Sequence, residues 1–172
     1  MKKRLFENIC EEAIFSKLYR KFSKDLYNYI YYKYGDHLNP EDKVQEAFIK
    51  LWENCGKIAP DKARSFLFSV ANNLTLNAIK HEKVKLKYAS ISQPIQTNET
   101  PEFVLEEAQY LEKYQLALSK LTEEKRVAFL LNRVDGKKHK EIAEILNISR
   151  KAVEKRIYSA LEQLRVDIEE IK

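Results

Sequence analysis

Between residues 15 and 30 the side chains Phe15, Leu18, Tyr19, Phe22, Leu26, Tyr29 and Ile30 recur at offsets of 3, 4, 7, 11, 14 and 15. That is one face of an α-helix, sustained for about four turns. Such a stripe must be buried against other elements. Little in the chain supports a different architecture, because 172 residues include only 3 Gly and 4 Pro, poor material for the tight turns of a β-protein. The expected fold class is therefore all-α.

Later segments continue the helical pattern. Asn39-Pro40-Glu41-Asp42 reads as a helix start, with a capping side chain, a proline in the first turn and carboxylates at the positive end of the dipole. The helix it opens is expected to run to about Asn54 with Val44, Ala47, Phe48, Leu51 and Trp52 inward. After a short loop over 55–61, a third helix covers Ala63 to about Lys87, with Phe66, Leu67, Val70, Leu74 and Ile79 as its apolar positions. Three helices make a small bundle.

Past residue 88 the composition changes. Ser90 to Pro101 is polar and proline-bearing with no helical period, as a linker reads. Residues 1–88 carry 17 basic and 11 acidic side chains, residues 89–111 carry none and 4, and residues 112–172 carry 14 and 11. Two basic blocks thus flank an acidic spacer. The reading is two small helical domains, 1–88 and 112–172, joined by a flexible linker that with the start of the next helix spans 89–111. The net charge of +5 and pI near 9.0 suit a polyanionic partner.

The second block opens with a helix from about Pro101 to Ser119 bearing Val104, Leu105, Ala108, Leu111, Leu116 and Leu118. Thr122 is expected to cap another, which passes Phe129 and Leu130 and stops at Asp135-Gly136. From Lys138 to Leu164 the chain reads as a helix-turn-helix. Ile142, Ala143 and Leu146 line the first helix, Asn147 takes the left-handed turn position and Ser149 caps the second helix. On that helix Val153, Ile157, Ala160, Leu161 and Leu164 follow the core stripe. Arg150, Lys151, Glu154, Lys155, Arg156 and Ser159 remain outside, a set suited to phosphate contacts and major-groove reading.

Several classes are disfavoured. His37, His81 and His139 are scattered, no nucleophile lies beside a base, and no glycine-rich phosphate loop occurs, so no enzyme chemistry and no cofactor or metal site is expected. Cys10 and Cys55 are too few for a disulfide framework and lack metal-ligand spacing; a reducing cytoplasm and inert packing are expected for both. Glu7, Glu11 and Glu12 interrupt any apolar run after the basic start, so no export is implied. The longest apolar stretches are far short of a membrane span of about 20 residues.

Asn39-Pro-Glu-Asp-Lys-Val-Gln-Glu-Ala-Phe-Ile-Lys-Leu-Trp52 closely resembles the polymerase-binding helix of sigma factors, whose small members show Asp-x-x-Gln-Glu-x-Phe-x-x-x-Trp. Arg64 to Lys80 is similar to that family's helix for the −10 promoter element, with Phe66 in its aromatic slot, Asn72 where arginine is usual and Asn77 where aspartate is usual. The resemblance covers about residues 10–87 and 112–166 and points to the extracytoplasmic-function group of the sigma-70 family. It implies core-polymerase binding by Asp42, Gln45, Glu46, Ile49 and Trp52. It implies −10 DNA contacts by Lys57, Arg64, Ser69, Asn72, Asn73 and Lys80, aided by Lys83, Lys85 and Lys87, with a flipped base captured by the loop over 55–61. It implies −35 contacts by Arg150, Lys151, Glu154, Lys155, Arg156 and Ser159.

The implied partners are core RNA polymerase, through its β′ clamp and β flap, promoter DNA and an anti-sigma factor, with no small-molecule substrate and no membrane insertion. The implied place is the cytoplasm, on the nucleoid when active. A helix-turn-helix regulator with a sensing or dimerising amino-terminal bundle is the alternative. It predicts autonomous binding of DNA by a symmetric dimer.

Overall fold

The computed structural model describes residues 8–88 and 113–169. Contacts divide the chain into two units, Met1–Ala89 and Ser90–Lys172. The first holds α1 (Glu12–Tyr34), a 3-10 turn (Asp36–Leu38), α2 (Pro40–Glu53) and α3 (Ala63–Tyr88). The second holds a helical segment at 113–120, here α4, then α5 (Glu123–Arg133), α6 (His139–Leu146) and α7 (Arg150–Glu169). No strand occurs among the described residues. The linker over 89–111 and residues 101–112 of the helix expected to open the second block lie outside them.

In the first unit α1 buries Leu18, Phe22, Leu26 and Ile30, one residue per turn, against Val44, Ala47, Phe48 and Leu51 of α2. Phe15 and Tyr29 flank that line half-buried, while Tyr19 stays 45% exposed and tilts its ring onto Phe48 at 4.9 Å. Trp52 departs from expectation. It is 46% exposed rather than inward, because Leu51 holds the core-facing position and the indole is swung to the rim, edge-on to Phe15 at 5.0 Å.

The buried line of α3 also differs from the expected set: it is Ala63, Leu67, Ala71 and Thr75. Phe66, Val70 and Leu74 are half-buried beside it. α3 packs against both α1 and α2, and three of its four innermost residues are small. Small side chains there let backbones approach closely while larger ones fill the flanks. The Thr75 hydroxyl donates to the Ala71 carbonyl at 2.8 Å, so its burial leaves no unpaired donor.

Two expected caps do not form. Asn39 sits in the left-handed region (φ 50°, ψ 71°) and its side chain caps nothing. α2 instead begins through Pro40 in its first turn, with the Asn39 amide donating back to the Asp36 carbonyl at 2.9 Å. Thr122 makes no side-chain cap either. α5 starts on the Thr122 carbonyl, which accepts from the Arg126 amide at 2.9 Å. It ends before Gly136, whose φ of 65° lets the Lys137 amide turn back to the Leu131 carbonyl at 3.0 Å.

The cysteines are a further correction. Cys10 and Cys55 are joined in a disulfide across 45 residues of sequence, where inert packing was expected. Nothing in their spacing announces the pair. It arises because the turn before α1, anchored by fully buried Ile9, folds back onto the end of α2.

The second unit buries Ala117, Leu121, Phe129, Ala160 and Leu164 in one cluster. Val127, Leu131, Ile142, Ile145, Val153 and Ile157 are buried as well. Leu116 is 55% exposed, opposite to its expected role. On α6 the inner residues are Ile142 and Ile145, with Ala143 and Leu146 at the edges. No helix among the described residues is long and apolar enough to cross a membrane.

Candidate functional site

α6, its turn and the start of α7 form the helix-turn-helix as read. The carboxylate of Glu141 accepts from the Lys138 backbone amide at 2.7 Å, which secures the start of α6. Asn147 takes φ 53°, ψ 46° at the turn, a conformation asparagine tolerates better than most residues. The Ser149 hydroxyl accepts from the Ala152 amide at 3.2 Å, giving α7 its cap.

Arg150, Lys151 and Lys155 are exposed on the first turns of α7. The other three expected readers are half-buried. A single Glu154 oxygen accepts from Arg150 Nε at 3.0 Å and lies 3.4 Å from His139 Nδ1, so this carboxylate ties α7 to the start of α6. Arg156 Nη2 meets Glu124 on α5 at 2.8 Å. Ser159 lies toward the helix edge. Tyr158, absent from the expected set, is 63% exposed one turn beyond Lys155. Its place between the core positions Ile157 and Ala160 was the signal available for it.

On α2, Asp42, Gln45 and Ile49 are exposed along one ridge, and Trp52 continues it. Glu46 is half-buried beside the ridge and pairs with Lys50 at 3.9 Å. Ile49 is 57% exposed. The ridge thus offers carboxylate, amide, aliphatic and indole groups to a partner, and an isolated solvated face gains nothing from exposing the last two.

The candidates on and before α3 divide into two groups. Ser69, Asn73 and Lys80 are exposed together with Asn77 at spacings of 4, 4 and 3, one ridge of short polar side chains ending in a cation. Lys57 is exposed in the loop before the helix. Arg64 lies half-buried with its guanidinium 5.9 Å from the Phe68 ring centre. Side chains at 83, 85 and 87 lie outside the described residues.

Asn72 turns inward. Its carbonyl oxygen accepts from Lys33 Nζ at 2.8 Å, from Tyr34 OH at 2.6 Å and from Tyr29 OH at 3.3 Å. The Lys33 ammonium stands 4.9 Å from the Tyr34 ring centre and 5.4 Å from that of Tyr29, within cation–π range. Burial alone would lower the Lys33 pKa, but hydrogen bonding and charge interaction with Tyr34 and Tyr29 outweigh it and hold the group above its ordinary value. Only the amide NH2 of Asn72 is left for a ligand.

Two family models match separate stretches of the chain. Residues 18–84 match the model for sigma-70 region 2, and residues 111–164 match that for sigma-70 region 4. The chain is 26% identical over 172 residues to the ECF RNA polymerase sigma factor SigW of Bacillus subtilis, covering 94% of this chain and 92% of that protein. It is 24% identical over 153 residues to the ECF RNA polymerase sigma factor SigE of Mycolicibacterium smegmatis, covering 87% of this chain but 59% of the relative's length. In fold it is similar to the sigma factor RpoE of Bartonella quintana, solved in complex with the anti-sigma factor NepR. That match has a TM-score of 0.52 and 17% identity and covers 90% of this chain and 96% of that one.

Proposed function

The chain belongs to the extracytoplasmic-function group of the sigma-70 family, and from that premise we propose that it docks on core RNA polymerase through the α2 ridge and directs it to promoters with α3 and α7. The observation that carries this reading is the order of both matched regions on one chain, region 2 before region 4. A helix-turn-helix regulator has no need of the first.

Asp42, Gln45, Ile49 and Trp52, with Glu46 at the margin, form the contact to the β′ clamp. The second unit meets the β flap and places Arg150, Lys151 and Lys155 on the −35 duplex, where backbone contacts set register. Glu154 and Arg156 act by holding α7 in place, and Ser159 lies at the margin of the reading face. Ser69, Asn73 and Lys80 face the −10 element, where a ridge of small amides and hydroxyls admits a strand closely and offers hydrogen bonds to bases. Lys57 and Arg64 supply charge beside it, and Asn72 supports the helix from behind. The loop over 55–61 receives a base that leaves the stack.

The protein turns over no substrate of its own, works in the cytoplasm and joins the nucleoid when bound to polymerase. An anti-sigma factor that covers the α2 ridge or the α7 face would silence it, as the complex of its structural relative with NepR suggests.

Run-off transcription with purified core polymerase on genomic fragments tests this reading. Discrete promoter-dependent transcripts are expected, and Asp42→Ala and Gln45→Ala should lower them at least about tenfold, since a lost contact of about 1.4 kcal/mol is a factor of ten. Both residues are exposed, so the variants should melt as the parent does. Transcription indifferent to both substitutions, or tight binding of palindromes by a dimer without polymerase, would end it.

A further inference from the structure

We propose that Cys10 and Cys55 form a reversible redox site, taking a cellular dithiol or disulfide as reactant, and that its state sets the order of the loop between α2 and α3. The proposal rests on the polymerase reading for its setting. A protein that works on RNA polymerase occupies a compartment where thiols are kept reduced, and there a disulfide is more often transient than structural. These two cysteines are the chain's entire supply, and they meet.

The bond joins two segments that otherwise hold each other weakly. One is the turn at 8–11, whose fixed points are buried Ile9 and the Asn8 side chain, which accepts from the Cys10 amide at 3.0 Å. The other is the stretch from Asn54 to Lys62. Its described backbone bonds are local, from Cys55 to Trp52, Lys57 to Asn54, Lys62 to Ala59, Ala63 to Pro60 and Phe66 to Lys62, and its contacts with the core come from half-buried Cys55 and Ile58. Gly56, Lys57, Ala59, Asp61 and Lys62 are exposed. Cys10 Sγ lies 4.0 Å from where a Cβ on Gly56 would stand, so the sulfur bridge is against the loop backbone. Closing it ties that backbone to the bundle, and opening it leaves Ile58 as the principal anchor.

Cys10 is exposed and Cys55 half-buried, so an incoming thiolate reaches the Cys10 sulfur first. Attack there forms a mixed disulfide with Cys10, while Cys55 departs as a thiolate and takes a proton from water. The reductant's second thiol then attacks the mixed disulfide and releases Cys10. Two electrons and two protons pass to the protein, and the dithiol leaves as a disulfide. The reverse runs with an oxidised dithiol as acceptor. In the bonded state the loop proposed to receive the unstacked base is already ordered, so that cost is not met during strand opening. The bonded form is therefore the more active one.

The test uses the full chain, equilibrated in glutathione buffers of graded ratio and alkylated to count thiols. Complete reduction in buffers as reducing as the cytosol, and closure of the bond in oxidising ones, is expected. Trypsin should cut after Lys57 and Lys62 about tenfold faster or more in the reduced form. With core polymerase, promoter-dependent transcription should be several-fold higher for the bonded form. Cys10→Ser, Cys55→Ser and the double variant should behave as the reduced parent in every buffer, which also controls for thiols of the polymerase. A bond that never closes, one that resists reduction, or equal cleavage and equal transcription in both states overturns the proposal. Bond and trypsin results as expected, with no transcription in either state, support the redox site and count against the polymerase reading instead.

Discussion

Asn72 shows how one side chain can be reassigned by its neighbours. The family pattern has arginine at this place, and by that pattern the residue would serve DNA. Here its oxygen is the acceptor for Lys33, Tyr34 and Tyr29, so a guanidinium at 72 would remove the acceptor and set a second cation beside the Lys33 ammonium. Asn72→Arg is therefore expected to destabilise the first unit by about 1–3 kcal/mol, the cost of stranding partly buried donors, read as a lower urea midpoint with unchanged slope. The Lys33 charge has its own signature. Its pKa is raised above 10.5 in the folded protein, so its contribution is complete at pH values below that figure and is lost as pH climbs through the folded value. Parent and Lys33→Met should thus differ by a constant margin from pH 6 to pH 9, on the order of 1 kcal/mol for a charged hydrogen bond, and converge in stronger alkali. A margin that shrank on acidification would contradict the assignment.

Among the elements, the helix-turn-helix was the most legible, because its signals are local: a residue fit for the left-handed turn, a capping hydroxyl two positions on, and an apolar stripe restarting behind them. Ser149→Ala should cost about 1 kcal/mol, and Asn147→Ala a similar amount for forcing an alanine into φ 53°. Both are measurable as lower melting temperatures of the second unit, whereas Asn147→Gly should be nearly neutral. The same kind of signal misled at Asn39 and Thr122, where helix starts were correctly placed but the backbone supplies the partners. On α3 the apolar period pointed to Phe66, Val70 and Leu74, yet Ala63, Ala71 and Thr75 lie innermost, since residue size at a helix crossing depends on a partner helix that no local window contains. Glu154 and Arg156 were read as free to meet DNA for the same reason; His139 and Glu124, which engage them, are 15 and 32 positions away. The Cys10–Cys55 pairing is the extreme case, with no local trace at all.

At the scale of the whole molecule, charge and exposure separate two tasks. The α2 ridge proposed to meet polymerase is acidic and amphipathic, while the exposed start of α7 is basic, so one chain can engage an enzyme and a polyanion through different chemistry. Each contact set is small, and avidity through linkage makes two weak contacts behave as one strong one once both are engaged on a single complex. Salt then distinguishes their contributions. DNA binding by the assembled holoenzyme should weaken with salt in proportion to the phosphates neutralised, with a slope of about 0.9 per contact in the logarithmic plot. Lys151→Ala with Lys155→Ala should reduce that slope by about 2 on every promoter tried, because both ammonium groups are exposed on α7 and are proposed to meet backbone rather than bases. Glu154→Gln should not reduce it. Losing the carboxylate that accepts from Arg150 frees a guanidinium for phosphate, so the slope should hold or steepen by about 1. Filter binding across a salt series with matched and scrambled −35 sequences separates these outcomes; a double variant that lost sequence preference while keeping its salt slope would mean that these lysines read bases, and that α7 sits in the groove by a different face.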